Sequence, residues 1–300
     1  MKTRVAIYGF GRLGRAIYHI ASRRADLEVV MVVSEDTAEH IVDALTSDAV
    51  YASLEQQFEV AENGFHHEER HVHIRPVKTA DVWQGHDIDI VIDTLTDTPT
   101  KDTIKQHQAA GAKRVVFAEK TEKMPVVVLG SNEDSLKTAG DGFSGGGAAA
   151  AATTPVVDIL DHSFGVDHEL LTVIDGMLCG GACTCDDDCE CCAAASAVPA
   201  PVLVSSLADL TVLLKKPVSA KVLNDAIQAA VKEAYYQGIV SSSEAQVAPD
   251  AVIGESISAL VDLTKTTVDG PLASVKIWYD REWAYANRLV ELTADYGKVK

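Results

Sequence analysis

The sequence predicts an α/β protein: a Rossmann-type, doubly wound parallel sheet followed by an α+β domain whose sheet is mixed or antiparallel. In the first half, apolar strand-like runs alternate with amphipathic segments, which is typical of βαβ units. A glycine-rich turn connects the first strand to the first helix. The chain has 300 residues, more than one hydrophobic core usually takes, so we expect two domains.

We place a nucleotide-type domain at residues 1–147 together with the C-terminal helix at 281–300, and the second domain at 148–280. The boundary lies near DGFSGGGAAAAATTP, Asp141 to Pro155, where Gly and Ala replace the alternating pattern. Gly loses backbone entropy on folding and Ala buries little surface, so we expect this run to be nearly featureless.

The positions of the helices and strands are predicted from hydrophobic periodicity. The histidine-rich segment HHEERHVH (His66 to His73) predicts a polar hairpin, with a metal site as the alternative. A helix beginning near Arg12 places Ile17, Ile20 and Ala21 on one face. A second helix has Ser219 as its N-cap and runs through Val222, Ala226 and Ala230. The remaining helices are predicted at Pro155–Gly165 and Glu282–Ala294, and the strands at Arg4–Tyr8, Leu27–Val33, Ile88–Thr94, Lys113–Ala118, Leu170–Asp175, Leu207–Lys215, Ala259–Thr267 and Ser274–Asp280.

Composition excludes some classes of partner. The net charge of −18 argues against nucleic acid and against an anionic membrane surface. No apolar run approaches the length of a membrane span, and the N-terminus has no signal-peptide pattern. We therefore expect a cytoplasmic protein that contacts neither nucleic acid nor membrane.

The strongest local signal is GFGRLG, which follows a strand at once and opens a helix. In that context the motif predicts dinucleotide binding, because glycines allow a tight turn, close approach of the pyrophosphate and close helix–strand packing. The phosphates are expected at the helix N-terminus. The predicted contacts are Gly9, Phe10, Gly11, Arg12, Leu13 and Gly14.

The next strand ends at Ser34, with Glu35 and Asp36 behind it. Sites of this kind normally place an acid on the adenosine ribose. Serine would tolerate a 2′-phosphate, whereas two acids would repel one, so we expect Ser34 and Glu35 to favour NAD over NADP.

Five segments resemble the glyceraldehyde-3-phosphate dehydrogenase family, of which erythrose-4-phosphate dehydrogenase is a close relative. They occur in the family's order and, except for roughly Leu178 to Ser206, cover most of the chain. The segments are IYGFGRLGR, AGAKRVVF, PVVDILDHSFGV, KKPVSAKVLNDAIQ with YYQGIVSSSE, and WYDREWAYANRLVEL.

The resemblance implies an NAD-dependent oxidoreductase that converts glyceraldehyde-3-phosphate or erythrose-4-phosphate to an acyl phosphate or acid. A cysteine thiolate attacks the aldehyde, and a histidine activates the thiol. Here the cysteine position holds Ala148 and the histidine position holds Asp175. The resemblance also implies Thr94, Thr96 and Arg281 as cofactor contacts, and a homotetramer or homodimer. The family's phosphate-binding arginine falls near Ala197.

All six cysteines lie in LCGGACTCDDDCECC, with spacing C-x₃-C-x-C-x₃-C-x-C-C. Four interpretations stay open: an acidic surface loop without function, a loop that binds a soft metal or is redox-active, a segment of engineered or corrupted sequence, and a relocated catalytic thiol at Cys179. The candidate metal ligands are Cys179, Cys183, Cys185, Cys189, Cys191 and Cys192.

Two functions therefore compete. The first is an NAD-dependent dehydrogenase of phosphorylated aldehydes, impaired at Ala148 and Asp175. The second is a catalytically silent NAD-binding sensor or scaffold with a metal- or redox-responsive cysteine loop.

Overall fold

The computed structural model shows two compact units, one formed by Met1–Ala151 with Glu282–Lys300 and one by Ala152–Arg281. Each unit is built around one sheet. The α/β class predicted from the sequence is confirmed. The structure describes residues 2–47, 57–77, 81–175 and 205–299.

The elements are numbered in chain order. The strands are β1 (Thr3–Tyr8), β2 (Leu27–Val33), β3 (Phe58–Ala61), β4 (Gly64–His67), β5 (Arg70–Arg75), β6 (Ile90–Asp93), β7 (Arg114–Phe117), β8 (Gly142–Ser144), β9 (Val166–Asp175), β10 (Ser205–Leu214), β11 (Val240–Ser243), β12 (Ala259–Asp269) and β13 (Leu272–Asp280). The helices are α1 (Arg12–Ala21), α2 (Ala38–Ser47), α3 (Lys101–Ala109), α4 (Ala148–Phe164), α5 (Ala220–Ala230) and α6 (Trp283–Lys298).

The sheet of the first unit has the strand order β3-β4-β5-β2-β1-β6-β7-β8. The six strands from β5 to β8 pair in parallel, and β3 and β4 add an antiparallel edge. After β1 the chain moves to β2 on one side and later to β6 on the other. Strand order therefore reverses at β1, and ligands of open α/β sheets bind at the carboxyl ends of the strands beside such a reversal.

Apolar side chains explain why β1 lies at the centre. Val5 and Ile7 are fully buried on one face, where Ile17 of α1 and Leu289 of α6 belong to the same core. Ala6 belongs to the core on the opposite face. A strand buried on both faces reads as a continuous apolar run, which is why β1 and β2 were predictable almost to the residue.

The sheet of the second unit has the order β11-β12-β13-β10-β9. β11 and β12 are parallel and the other pairs are antiparallel, so the predicted mixed sheet is confirmed. Ser219 caps α5 as predicted, accepting a hydrogen bond from the Val222 amide at 3.3 Å. The predicted helix through Val222, Ala226 and Ala230 is confirmed, and it buries Leu223, Ile227 and Ala230 while Val222 is 48% exposed.

The prediction for the Gly/Ala run is also wrong. Helix α4 begins at Ala148, seven residues before the predicted start, and Ala151 and Ala152 are buried. Alanine has the highest helix propensity, so a run of alanines favours helix even though each side chain buries little surface. Pro155 lies inside the helix and removes one backbone hydrogen bond without ending it.

The histidine-rich segment forms the antiparallel hairpin of β4 and β5, as expected. Among the described residues, no helix combines the length and the apolar character that a bilayer span needs.

Candidate functional site

The turn between β1 and α1 requires glycine at its first position. Gly9 has a φ of +98°, a backbone conformation that side chains disfavour. A β-carbon there would lie 2.5 Å from Thr94 Oγ1 and 2.6 Å from Leu95 Cγ. Position 9 therefore accepts only glycine, because the turn needs a positive φ and the loop after β6 packs directly against the turn.

The other two glycines of the motif differ in what surrounds them. A β-carbon on Gly14 would clash with the carbonyl oxygen of Gly9, so this glycine serves internal packing. Gly11 has an ordinary φ of −67°, and a β-carbon there would meet no protein atom within 4 Å. Nothing in the described protein requires glycine at position 11. The open space beside it fits the close approach of a dinucleotide pyrophosphate.

The start of α1 suits an anion. Gly11 is the N-cap and supplies no side-chain hydrogen bond, and the first turn contains no acidic residue. The amides of a first helical turn have no intrahelical acceptor, and the helix dipole is positive there. The side chains of Phe10 and Leu13 pack into or against the core, so these two residues can offer a ligand only their backbone.

Arg12 and Arg15 add positive charge to this end of the helix. The Arg12 guanidinium is 3.0 Å from Glu282 Oε1, and its side chain remains 44% exposed. Arg15 Nη1 donates to the carbonyl oxygen of Phe10 at 3.5 Å.

Ser34 and Glu35 follow β2 at the same edge of the sheet. The Ser34 hydroxyl donates to Asp36 Oδ2 at 3.0 Å and accepts from the Asp36 amide at 3.1 Å, so it is engaged in a local turn. Glu35 is exposed and accepts a hydrogen bond from the Val77 amide at 3.1 Å. One carboxylate oxygen of Glu35 is thus held in place, which suits the predicted ribose contact.

Thr94 and Thr96 follow β6. The Thr94 hydroxyl donates to the Gly9 carbonyl at 3.0 Å, and the Thr96 hydroxyl donates to Asp93 Oδ2 at 2.6 Å. These hydroxyls shape the loop against the glycine turn. The sequence analysis did not identify Asp93. The one sequence feature that could have indicated it is an acidic residue at the end of an otherwise apolar strand, IVID.

Ala148 is the first residue of α4 and follows three glycines. Gly146 and Gly147 have positive φ values of 81° and 85° and lead the chain into the helix. The Gly147 amide donates to the Tyr285 hydroxyl at 3.0 Å. Position 148 thus lies at a helix N-terminus, an environment that lowers the pKa of a cysteine thiol, but its side chain is a methyl group.

Asp175 and Arg281 belong to the second unit. Asp175 ends β9 and accepts a hydrogen bond from the Ser206 hydroxyl at 2.7 Å. Arg281 Nη1 lies 4.0 Å from Asp175 Oδ1. Burial, with a contribution from Asp175, raises the pKa of the neighbouring Tyr279 to about 12. The two predicted site residues are therefore adjacent and oppositely charged.

Comparison with known proteins decides the family. A sequence model described as the glyceraldehyde 3-phosphate dehydrogenase NAD-binding domain matches residues 3–100, and the model of its C-terminal domain matches residues 190–281. Together they cover more than half of the chain. The chain belongs to the glyceraldehyde-3-phosphate dehydrogenase family.

Curated relatives match over nearly their whole length. Glyceraldehyde-3-phosphate dehydrogenase from Mycobacterium avium is 29% identical over 350 residues, covering 99% of each chain. Glyceraldehyde-3-phosphate dehydrogenase 2 from Bacillus subtilis is 27% identical, covering 97% of this chain and 96% of the relative. The Thermotoga maritima glyceraldehyde-3-phosphate dehydrogenase is also 27% identical, covering 96% and 97%.

Family membership identifies the glycine turn as part of an NAD-binding domain, so the cofactor prediction is confirmed. The two matched domains, residues 3–100 and 190–281, do not include Ala148 or Asp175, so the assignment of these residues to the family's catalytic pair stays a prediction from the sequence resemblance. Arg281 is placed beside Asp175 in the second unit.

Two segments were considered as metal sites, the cysteine run and the histidine-rich hairpin, and the structure describes only the hairpin. The cysteine run, with Cys179, Cys183, Cys185, Cys189, Cys191 and Cys192, lies outside the described residues, as does Ala197. In the hairpin, the rings of His66, His71 and His73 are in contact, with centroids 5.1 and 4.5 Å apart. The parts of the chain that the structure describes nevertheless contain no group of three side chains placed to hold a metal ion.

Proposed function

We propose that this chain binds NAD as other members of the glyceraldehyde-3-phosphate dehydrogenase family do, but does not oxidise aldehydes through the family's thiol chemistry. One observation carries the proposal: α4 begins at Ala148, the residue to which the sequence resemblance assigns the family's nucleophile position. An alanine can neither add to an aldehyde nor hold a thioester.

The chain's own residues account for NAD binding. Backbone amides at the start of α1 receive the pyrophosphate, and the space beside Gly11 admits it. Glu35 receives the ribose hydroxyls. When bound, NAD supplies an acceptor for hydride. No described residue provides the thiolate that would first form the hydride-donating adduct.

Asp175 strengthens the argument. In the family a histidine lowers the pKa of the thiol and accepts its proton. A carboxylate has the opposite effect on a neighbouring thiol, because like charges disfavour a second ionisation. Asp175 also accepts a hydrogen bond from the Ser206 hydroxyl, and Arg281 Nη1 lies 4.0 Å from its Oδ1.

Hydroxyls do not replace the missing thiol. Thr153 and Thr154 are the nearest hydroxyl residues along α4, and Thr153 is only 5% exposed. A hydroxyl also needs a general base to become a nucleophile at neutral pH. The proposal therefore assigns neither threonine a catalytic role.

Turnover and binding measured on the same preparation test the proposal. The first assay is NADH formation from glyceraldehyde-3-phosphate and from erythrose-4-phosphate, with and without inorganic phosphate. The second is NAD affinity by calorimetry. We expect binding without turnover. Phosphate-dependent turnover would instead support the first function, an active dehydrogenase of phosphorylated aldehydes.

We also propose that the chain forms a homotetramer or homodimer. The support is β9, the edge strand of the described sheet, which exposes apolar side chains on both faces: Ile174 is 55% exposed on one face and Leu171 is 39% exposed on the other. Apolar surface on a sheet edge favours self-association.

A further inference from the structure

A buried carboxylate lies directly behind the glycine turn. Asp93 ends β6 and its side chain is fully buried. Its Oδ1 accepts hydrogen bonds from the amides of Leu95 and Thr96, at 2.9 and 3.0 Å. Its Oδ2 accepts from the Thr96 hydroxyl and lies 3.0 Å from His107 Nε2. A buried charge is tolerated when its acceptor sites are occupied in this way.

The neighbours of His107 determine its tautomer. Trp83 Nε1 lies 3.2 Å from His107 Nδ1, and an indole N–H can only donate. Nδ1 must therefore be the acceptor, and the ring proton resides on Nε2, where it is donated to Asp93. Trp83 is fully buried, and Tyr8 packs edge-on against the His107 ring with centroids 5.1 Å apart. The imidazole is thus fixed from three sides.

This chain of contacts reaches the glycine turn. Asp93 fixes the amides of Leu95 and Thr96, and with them the loop that carries Thr94. Thr94 donates from its hydroxyl to the Gly9 carbonyl, and its amide donates to the Tyr8 carbonyl at 2.8 Å. Thr94 Oγ1 therefore both fills the space beside Gly9 and holds the Gly9 carbonyl by a hydrogen bond.

We propose that His107 is a positioning residue for the cofactor: its Nε2–H orients Asp93, and Asp93 holds the loop at residues 94–96 against the glycine turn that receives NAD. His107 acts through Asp93 and contacts the turn only indirectly. The inference rests on NAD binding at this turn, and it assigns a role to a helix α3 residue that the glycine motif does not include.

Two substitutions separate the two hydrogen bonds of the ring. In His107→Gln, the amide nitrogen can take the place of Nε2 and still donate to Asp93. In His107→Asn, the shorter side chain can accept from Trp83 at the place of Nδ1 but does not reach Asp93. Both variants remove an aromatic ring from the same mostly buried site, so their effects on stability should be similar.

Two measurements are made on the full chain. The first is hydrogen exchange of the amides at residues 9–14 without NAD, and the second is the Kd for NAD by calorimetry. For His107→Asn we expect exchange at least several-fold faster and affinity about tenfold weaker, the effect of one lost buried hydrogen bond to a charged group. For His107→Gln we expect both values to stay within about threefold of wild type.

Phe143→Leu is the control for general loosening, because Phe143 packs on Tyr296 with ring centroids 5.1 Å apart and belongs to a different core cluster from Trp83, the partner of His107. The hydrogen-bonded path from His107 through Asp93 to the loop at residues 94–96 is called the relay below. It should leave both readouts unchanged at a comparable loss of Tm. Equal effects of the Asn and Gln variants, or no effect of either, would overturn the inference. Absence of NAD binding in the wild type would count against the proposed function, whereas the exchange experiment would still test the relay.

Discussion

The carbonyl oxygen of Gly9 occupies the space that a β-carbon on Gly14 would need. The third glycine of the motif is therefore required by the protein's own packing. The second, Gly11, has open space in the same position. This difference separates the two glycines that the protein's own packing requires from Gly11, beside which we propose that the pyrophosphate lies.

Gly11→Ala should weaken NAD binding by about tenfold or more while leaving Tm nearly unchanged. The new methyl group meets no protein atom, and the φ of −67° is compatible with alanine, but it would occupy the space beside the pyrophosphate. Calorimetric titration with NAD and a thermal unfolding curve check both parts. Gly14→Ala is the matched control and should lower Tm, because its β-carbon clashes with backbone. If Gly11→Ala binds NAD like wild type, the glycine turn is not the pyrophosphate site.

Glu35 should account for a preference for NAD over NADP. Its exposed carboxylate, held by the Val77 amide, would repel a 2′-phosphate. Glu35→Gln keeps a hydrogen-bond acceptor and removes the charge. We therefore expect the Kd for NADP divided by the Kd for NAD to fall by about tenfold. Glu39→Gln, on α2, removes one charge a turn away and controls for net charge. An unchanged ratio in Glu35→Gln would show that another group selects the cofactor.

Acid should destabilise the chain partly through His67. Burial lowers the pKa of His67 from its ordinary 6.5, and Tyr18 contacts Nδ1 at 3.0 Å. The folded state therefore binds the proton less readily than the unfolded state. The contribution of neutral His67 to the free energy of unfolding is fully present above about pH 6.5. It is lost as the pH falls toward the pKa that His67 has in the folded state.

Protonation of one histidine changes the free energy of unfolding by at most about 1.4 kcal/mol per pH unit. Urea unfolding at pH 7.5 and at pH 5.5 measures it in the wild type and in His67→Gln. We expect a smaller loss of unfolding free energy in the variant on acidification. His40→Gln is an exposed control and should behave as wild type. Identical losses in His67→Gln and wild type would exclude this role for His67.

Ile174→Lys should shift the chain toward smaller species if β9 forms the subunit interface. Ile174 lies on the edge strand of the second sheet and is 55% exposed, so a lysine there costs little in an isolated chain but much in a buried contact. Light scattering coupled to size exclusion measures the mass. Val222→Lys on α5, 48% exposed, is the matched control. A wild-type monomer, or a variant with unchanged mass, would contradict assembly through β9.

The sequence predicted those features that local pattern determines. β2 was predicted to the residue because Leu27–Val33 is apolar at every position except Glu28, and α1 was predicted because Gly11 precedes apolar residues at helical spacing. The start of α4 was missed because composition suggested a featureless run, while alanine propensity favours helix.

The relay from His107 to Asp93 and the contact of Thr94 with Gly9 could not be predicted. The second joins residues 85 positions apart, and neither leaves a periodic signal. Such contacts depend on the neighbouring positions of β1 and β6 in the sheet, which hydrophobic patterning does not specify.

The most direct test of the central claim is NADH formation from glyceraldehyde-3-phosphate, NAD and inorganic phosphate by protein that calorimetry has shown to bind NAD. The Thermotoga maritima relative serves as the positive control for the assay. Because the proposal assigns Ala148 to the nucleophile position, we predict a rate below about 0.1 s⁻¹, a hundredth of an ordinary enzymatic turnover. A phosphate-dependent rate near about 10 s⁻¹ would contradict the account, because a nucleophile elsewhere in the chain would then perform the chemistry.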